Sequence, residues 1–413
     1  MPASSGSALP PYTPSPPVPS YSPEPAHNER RVEHTPRRAH AHTGNYIKKH
    51  GRETVILTDQ DDKAEFPMYG RHASINGFVT VEDRETVSEV VLKIKGKMDV
   101  MTSESGSLSR KLVNDSYTLW LAHTSHTSAC PSAVPFSVVL PTKFQDGDKI
   151  FPLPPTYEVP YIAVPGLYVK SSYTISVVVT RTRTRKFQFL TKSSTLTVPF
   201  NYCPRMRPWR PIQPSSSDFF SDVKLMPEEW RQVVAQMKPR PKSTAQPIDI
   251  HLFLPVVEIF GLEDTIPFHI QLTGPVSSLR EFLPESTSTG DTTLPDKTTI
   301  QGTLVRQVLV DLHERKSWRN VVIGHAKLSS CPPGASSDDR EASLDWDGEV
   351  RCKDNVLVGM FDGGLVKVQD FIVIELRAPD TPTSQFTTLR HAHPIKLVTD
   401  SWLDSAAPRE ESR

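Results

Sequence analysis

Proline and tyrosine at fixed spacing near the amino terminus carry the clearest chemistry in this chain. Leu9-Pro10-Pro11-Tyr12 fits the L-P-x-Y form of a WW-domain ligand, and Val18-Pro19-Ser20-Tyr21 is a looser copy. Proline presets an extended helix that an aromatic groove accepts, and the tyrosine adds a hydrogen-bonding tip. The bland alternative is a proline-rich spacer whose tyrosines carry no message. A full P-P-x-Y also stands at Pro154-Pro155-Thr156-Tyr157, between strand-like segments. There Tyr157 is expected to pack on the sheet, and its exposure decides between that role and ligand.

The densest charge in the body of the chain is Arg181-Thr182-Arg183-Thr184-Arg185-Lys186. On a strand, Arg181, Arg183 and Arg185 share one face. With Lys186 they form a row suited to phosphate, on a modified cargo tail or a lipid headgroup. The competing reading is a solvated hairpin end whose cations discourage edge pairing. Thr13-Pro14, Ser15-Pro16, Ser22-Pro23 and Thr35-Pro36 fit proline-directed phosphorylation, a pattern common by chance in such tails. His391 and His393 are two apart on a strand, but no third ligand is in view, so no metal is expected.

The known catalytic motifs are missing: there is no H-E-x-x-H, G-x-S-x-G, Walker loop or G-x-G-x-x-G. The four cysteines, Cys130, Cys203, Cys331 and Cys352, are widely spaced and include no C-x-x-C. They read as reduced thiols of a cytosolic protein, with a disulfide between two of them left open. No enzyme and no cofactor is expected.

With 413 residues the chain has room for two or three domains. Its 47 basic and 47 acidic side chains cancel, so no global field points to nucleic acid or a membrane. No apolar run is long enough to span a bilayer. Met1 to Pro25 has no apolar h-region, so no secretory signal is expected.

The elements that would position these motifs are strands. Residues 1–50 are Pro-, Tyr-, His- and Arg-rich and are expected to be disordered, with too little aliphatic surface to offset ordering entropy. From about residue 51 to 205, apolar residues alternate in short runs: Val55 to Leu57, Ile75 to Val81, Val87 to Lys95, Tyr117 to Leu121, Phe136 to Leu140, Tyr173 to Thr180, Phe187 to Leu190 and Leu196 to Phe200. Gly96 marks a bulge or turn. Residues 206–246 read as a proline-broken linker. It holds a helix at 227–237, with Pro227 at its start and Trp230, Val233, Val234 and Met237 on one stripe. Strand patterns return over 247–403: Ile248 to Leu254, Thr265 to Thr273, Gly302 to Leu312, Asn320 to Leu328, Gly364 to Ala378 and His393 to Thr399. Pro284 to Thr299 and Pro332 to Ala342 are polar insertions expected to be surface loops. Residues 404–413 form a charged tail. Two Ig-like antiparallel β-sandwiches are the expected architecture.

The first sandwich block resembles the arrestin amino-terminal domain in its fungal arrestin-like (α-arrestin) version. The likeness is carried by Ile75-Asn76-Gly77-Phe78-Val79, Val90 to Gly96, Leu119-Trp120, Pro135-Phe136-Ser137-Val138, Leu140-Pro141, Leu153-Pro154-Pro155, Tyr173 to Val179 and Asn201-Tyr202-Cys203-Pro204-Arg205. The second block resembles the arrestin carboxy-terminal domain through Pro267 to Gly274, Gln301 to Leu312, Val368 to Leu376 and His393 to Thr399. The resemblance implies an all-β arrestin fold without cofactor. It also implies a cytoplasmic adaptor, recruited to the plasma membrane or endosomes by peripheral association, that binds cytosolic segments of transporters or receptors. A WW-domain HECT ubiquitin ligase would be its second partner, leading to ubiquitination and endocytosis. The 227–237 helix departs from the family pattern, and the buried charged cluster of visual and β-arrestins has no residue-by-residue match. A retromer-like endosomal sorting subunit, with no ligase, is the alternative within the same fold. A cryptic sandwich-fold enzyme and a nucleic-acid binder are the rivals outside it.

Overall fold

A computed structural model describes residues 32–34, 43–61, 63–122, 129–182, 191–213, 219–282, 300–331, 341–377 and 384–402. The chain is an all-β protein of sandwich architecture. In the first block, the strands Gly44–His50, Glu53–Gln60, Ser74–Val81 and Ala133–Val139 form one antiparallel sheet in that order. The facing sheet runs Met68–Tyr69, Thr191–Tyr202, Leu167–Thr182, Val87–Thr102, Gly106–Leu121, with Tyr157–Tyr161 added beside Leu167–Thr182. Alternation decides what lies between them: Val55, Leu57, Ile75 and Val79 from one sheet meet Leu92, Ile94, Ile175 and Val177 from the other, all fully buried. Each such side chain contributes about 1.5–3 kcal/mol on leaving water.

Gly96 sits at a register shift in this block, a bulge opposite Val113. A Cβ there would lie 2.6 Å from the Tyr173 ring, so only glycine leaves room for that ring. Tyr173 is fully buried, and its hydroxyl donates to the Pro154 carbonyl at 2.5 Å.

The second block is one curled sheet of ten strands among the described residues. Its order is Trp230–Met237, Ile248–Pro255, Thr265–Pro275, Glu341–Arg351, Arg315–Ser330, Ile300–Leu312, Val366–Leu376, Leu389–Val398, Ile259–Gly261, with Phe361–Asp362 beside Val366–Leu376. Arg315–Ser330 makes the curl. Residues 315–325 pair with Ile300–Leu312, and Ala326 to Ser330 pair with Glu341–Arg351. A register shift at Leu304/Val305 accompanies the change of partner.

Two cores result. Leu304, Ile372, Ile374 and Leu376 belong to the second, whereas Val308, Val310, Leu312, Val366 and Val368 of the same two strands belong to the first. This antiparallel strand pair thus crosses the seam and is shared.

Three expectations are corrected. Residues 227–237 are not a helix: Pro227–Glu229 is one 3-10 turn, and Trp230–Met237 is a strand paired with Ile248–Pro255. The stripe Trp230, Val233, Val234, Met237 has helical spacing; in the strand it splits, with Val233 and Met237 on one face and Trp230 and Val234 on the other. The β-branched Val233 and Val234 and an available sheet edge select the strand, with Met237 buried and Val234 turned outward. A short helix forms instead at Phe219–Leu225. Next, part of the leader expected to be disordered is ordered: Val32–His34 pairs with Met206–Pro208, and Gly44–His50 pairs with Glu53–Gln60. Tyr46 packs on the first core. Lastly, Glu341 and Ala342, expected in a loop, begin the strand Glu341–Arg351. The expected strand Phe187 to Leu190, the Pro284 to Thr299 insertion and the 404–413 tail lie outside the described residues. No helix among those described is long and apolar enough to cross a membrane.

Candidate functional site

Leu9, Pro10, Pro11, Tyr12, Pro19 and Tyr21 lie outside the described residues, as do Arg183, Arg185 and Lys186. The segment carrying Tyr12 joins the described structure at Val32. Val32 lines an apolar cavity of about 290 Å³ at the seam, together with Leu153, Tyr202, Val358, Met360 and Val398.

The internal P-P-x-Y is built into the seam. Pro154 and Pro155 are buried. Their carbonyls accept from the Tyr173 hydroxyl and, for Pro155, from Ser171 Oγ. Tyr157 packs edge-on to Phe361 of the second block. Burial pushes its phenol well above the usual range. A WW groove needs all three side chains in the open, and these are committed.

Arg181 is also committed. Its Nη2 donates to Glu53 Oε1 at 3.0 Å and its Nη1 to the Glu82 and Asp83 carbonyls at 2.7 and 3.2 Å. Glu53 is buried and also accepts from Ser194 Oγ. The row expected over Arg181, Arg183 and Arg185 therefore begins with a residue that closes the sandwich end.

His391 and His393 do share a face of Leu389–Val398, with separate fates. His393 Nε2 meets the buried Glu258 Oε1 at 2.5 Å, and Arg231 approaches the other oxygen at 3.3 Å. His391 Nε2 is buried with no hydrogen-bond partner among the described residues. Burial first, and then His393, push its pKa down.

The most organised polar cluster is one the sequence reading missed. Strands Thr265–Pro275 and Glu341–Arg351 set His269 opposite Asp347 and Gln271 opposite Asp345. These four point away from the core, whose side is filled by Phe268, Ile270, Leu344 and Trp346. The helix Phe219–Leu225 roofs them: the Phe219 ring stacks on His269 at 3.8 Å, nearly parallel. His269 is therefore fully buried although it lies on an outer face. Its Nε2 is 3.1 Å from Asp345 Oδ1 and its Nδ1 is 2.7 Å from Asp347 Oδ1. Gln271 Nε2 and Ser343 Oγ donate to the same Asp345 carboxylate. Those hydrogen bonds hold the Asp345 carboxyl below its usual range despite burial. Cys331, just past Arg315–Ser330, places Sγ 3.4 Å from Asp347 Oδ2. Burial and then Asp347 push this thiol up to about 11. A cavity of about 300 Å³ opens beside Asp347, between the helix and the sheet. The signal available in the sequence was His269 and Gln271 two apart among apolar neighbours, and Asp345 and Asp347 flanking Trp346; the roofing helix was needed to make it count.

No family model matches the chain, and no curated protein matches its sequence.

Proposed function

We propose that the chain is an arrestin-like cytosolic adaptor that binds cytosolic segments of a membrane transporter or receptor and recruits a WW-domain HECT ubiquitin ligase. The observation that carries this reading is the division of labour between its two proline-tyrosine motifs. Pro154, Pro155 and Tyr157 are consumed by the seam, which leaves Tyr12, and more loosely Tyr21, as the tyrosines for a WW groove. The sandwich pair supplies a broad rigid platform for cargo, because its two cores share the paired strands Ile300–Leu312 and Val366–Leu376. A ligase tethered through the leader acts at cargo lysines by raised effective concentration, without new contacts. The adaptor works at the plasma membrane or endosomes through peripheral association with its cargo.

The test is capture of a purified WW-domain HECT ligase by the full chain. Tyr12→Ala is expected to abolish or strongly reduce capture, Tyr21→Ala to reduce it less, and Tyr157→Phe to leave it unchanged. Equal capture by the wild type and a Tyr12→Ala/Tyr21→Ala double variant would overturn ligase recruitment through the leader.

A further inference from the structure

We infer that His269, Cys331 and Asp347 form a binding site for a divalent transition metal of the zinc class, with a fourth position open to the adjacent cavity. One nitrogen, one sulfur and one carboxylate oxygen from three separate chain segments lie within 4.8 Å of one another. That donor set is the one borderline cations prefer over magnesium or calcium, which take oxygen.

The surroundings are arranged as an outer shell. A metal-bound histidine keeps its tautomer by donating its other N–H to a carboxylate. His269 Nε2 faces Asp345 Oδ1 at 3.1 Å, which directs the Nδ1 lone pair at Asp347 and Cys331. Asp345 is itself fixed by Gln271 and Ser343. Phe219 stacks on the imidazole and prevents the ring from turning. Two carboxylates and a thiol against one imidazole leave local negative charge that a divalent cation cancels.

Metal and protons compete for the same atoms. Without metal, the Cys331 S–H points at Asp347 Oδ2, and Nδ1 of His269 lies 2.7 Å from Asp347 Oδ1. Binding displaces the thiol proton and any proton on Nδ1 to solvent, leaving a thiolate and a neutral imidazole as ligands. Asp347 is nearly half exposed, and the cavity it lines gives the ion an entry path and room for water as the fourth ligand. The bound ion ties Thr265–Pro275, Glu341–Arg351 and the end of Arg315–Ser330 together, at the outer face where the curled sheet changes partner.

The full chain, stripped with chelator and kept reduced, is titrated with Co²⁺ while its absorption is recorded, and then with Zn²⁺. The expected result is one Co²⁺ per chain, with tetrahedral d–d bands and a thiolate-to-cobalt charge-transfer band that Zn²⁺ removes. Cys331→Ser removes the charge-transfer band, and Cys203→Ser keeps it. Asp345→Asn weakens binding at least about tenfold while the circular dichroism stays native. Because His269→Ala removes a fully buried ring, the part-exposed Cys331 carries the test. A charge-transfer band that survives Cys331→Ser, or no band at stoichiometric Co²⁺, overturns the site.

Discussion

Arg306 and Asp370 are cross-strand partners at the point where two strands pass from one hydrophobic core to the other. Toward one end their neighbours on the same face are Leu304 and Ile372; toward the other they are Val308 and Val368. Arg306 Nε and Nη2 donate to the two Asp370 oxygens at 2.8 and 3.0 Å, and Nη1 donates to the Val358 carbonyl at 2.7 Å. Both side chains are almost fully buried. The pair is a polar rivet between the two shared strands. Asp370→Ala is expected to cost about 3–5 kcal/mol by leaving a buried guanidinium unpaired. An Arg306→Met/Asp370→Leu double variant should recover most of it. Equilibrium urea unfolding of both variants measures the difference.

Tyr157 and Phe361 meet edge to face with ring centroids 5.4 Å apart, one from each block. Tyr157→Ala should destabilise the chain by about 3 kcal/mol, whereas Tyr157→Phe, which keeps the ring, should stay within about 1 kcal/mol. Thermal denaturation of both variants reads this directly. A Tyr157→Ala chain as stable as wild type would mean that the seam does not depend on the internal P-P-x-Y.

Gly96 should tolerate no side chain. Gly96→Val forces the Tyr173 ring aside and with it the hydrogen bond to Pro154. Overpacking of this kind costs about 1–3 kcal/mol. A lowered urea midpoint with an unchanged slope is the expected outcome.

Arg181→Ala should destabilise rather than weaken anion binding. It leaves Glu53 buried with Ser194 as its remaining side-chain donor among the described contacts. The expected loss is about 3 kcal/mol, and Glu53→Gln on top of it should restore part. Binding to vesicles containing anionic lipid, at matched folded fraction, should not change. A large drop in vesicle binding with intact stability would instead return Arg181 to a phosphate-binding row.

Stability should depend on pH through His391. Its folded pKa is depressed by burial and by His393, so the unfolded chain binds the extra proton. The contribution is fully present above the unfolded histidine value of about 6.5 and is lost as pH falls through the folded value. Urea unfolding at a series of pH values from about 7.5 down to about 5 should show this decline. His391→Gln should flatten it. An unchanged pH slope in that variant would place the titrating group elsewhere.

Within the described residues, the sequence by itself determined where most strands lie. Val90, Leu92 and Ile94 alternate as a half-buried strand requires, and Ile372, Ile374 and Leu376 likewise share one strand face, although Val373 on the opposite face is buried too. Gly96 was readable as a bulge for the same local reason. Local pattern misled at Trp230–Met237, because four apolar residues at i, i+3, i+4 and i+7 have helical spacing and divide between the two faces of the strand that forms. The open edge of Ile248–Pro255 settled it by offering hydrogen bonds. Nor could it predict that Tyr46, in a polar leader, would pack on a core. The binding sites divide in the same way. A proline-tyrosine motif is visible as letters, but whether its tyrosine is free or built into a seam depends on Phe361, some two hundred residues away. His269, Asp345, Asp347 and Cys331 looked unremarkable one by one, since only strand register and a roofing helix bring their atoms within reach. Periodicity is a local property of the chain and survives in sequence; burial and proximity belong to contacts between distant segments, which folding alone creates.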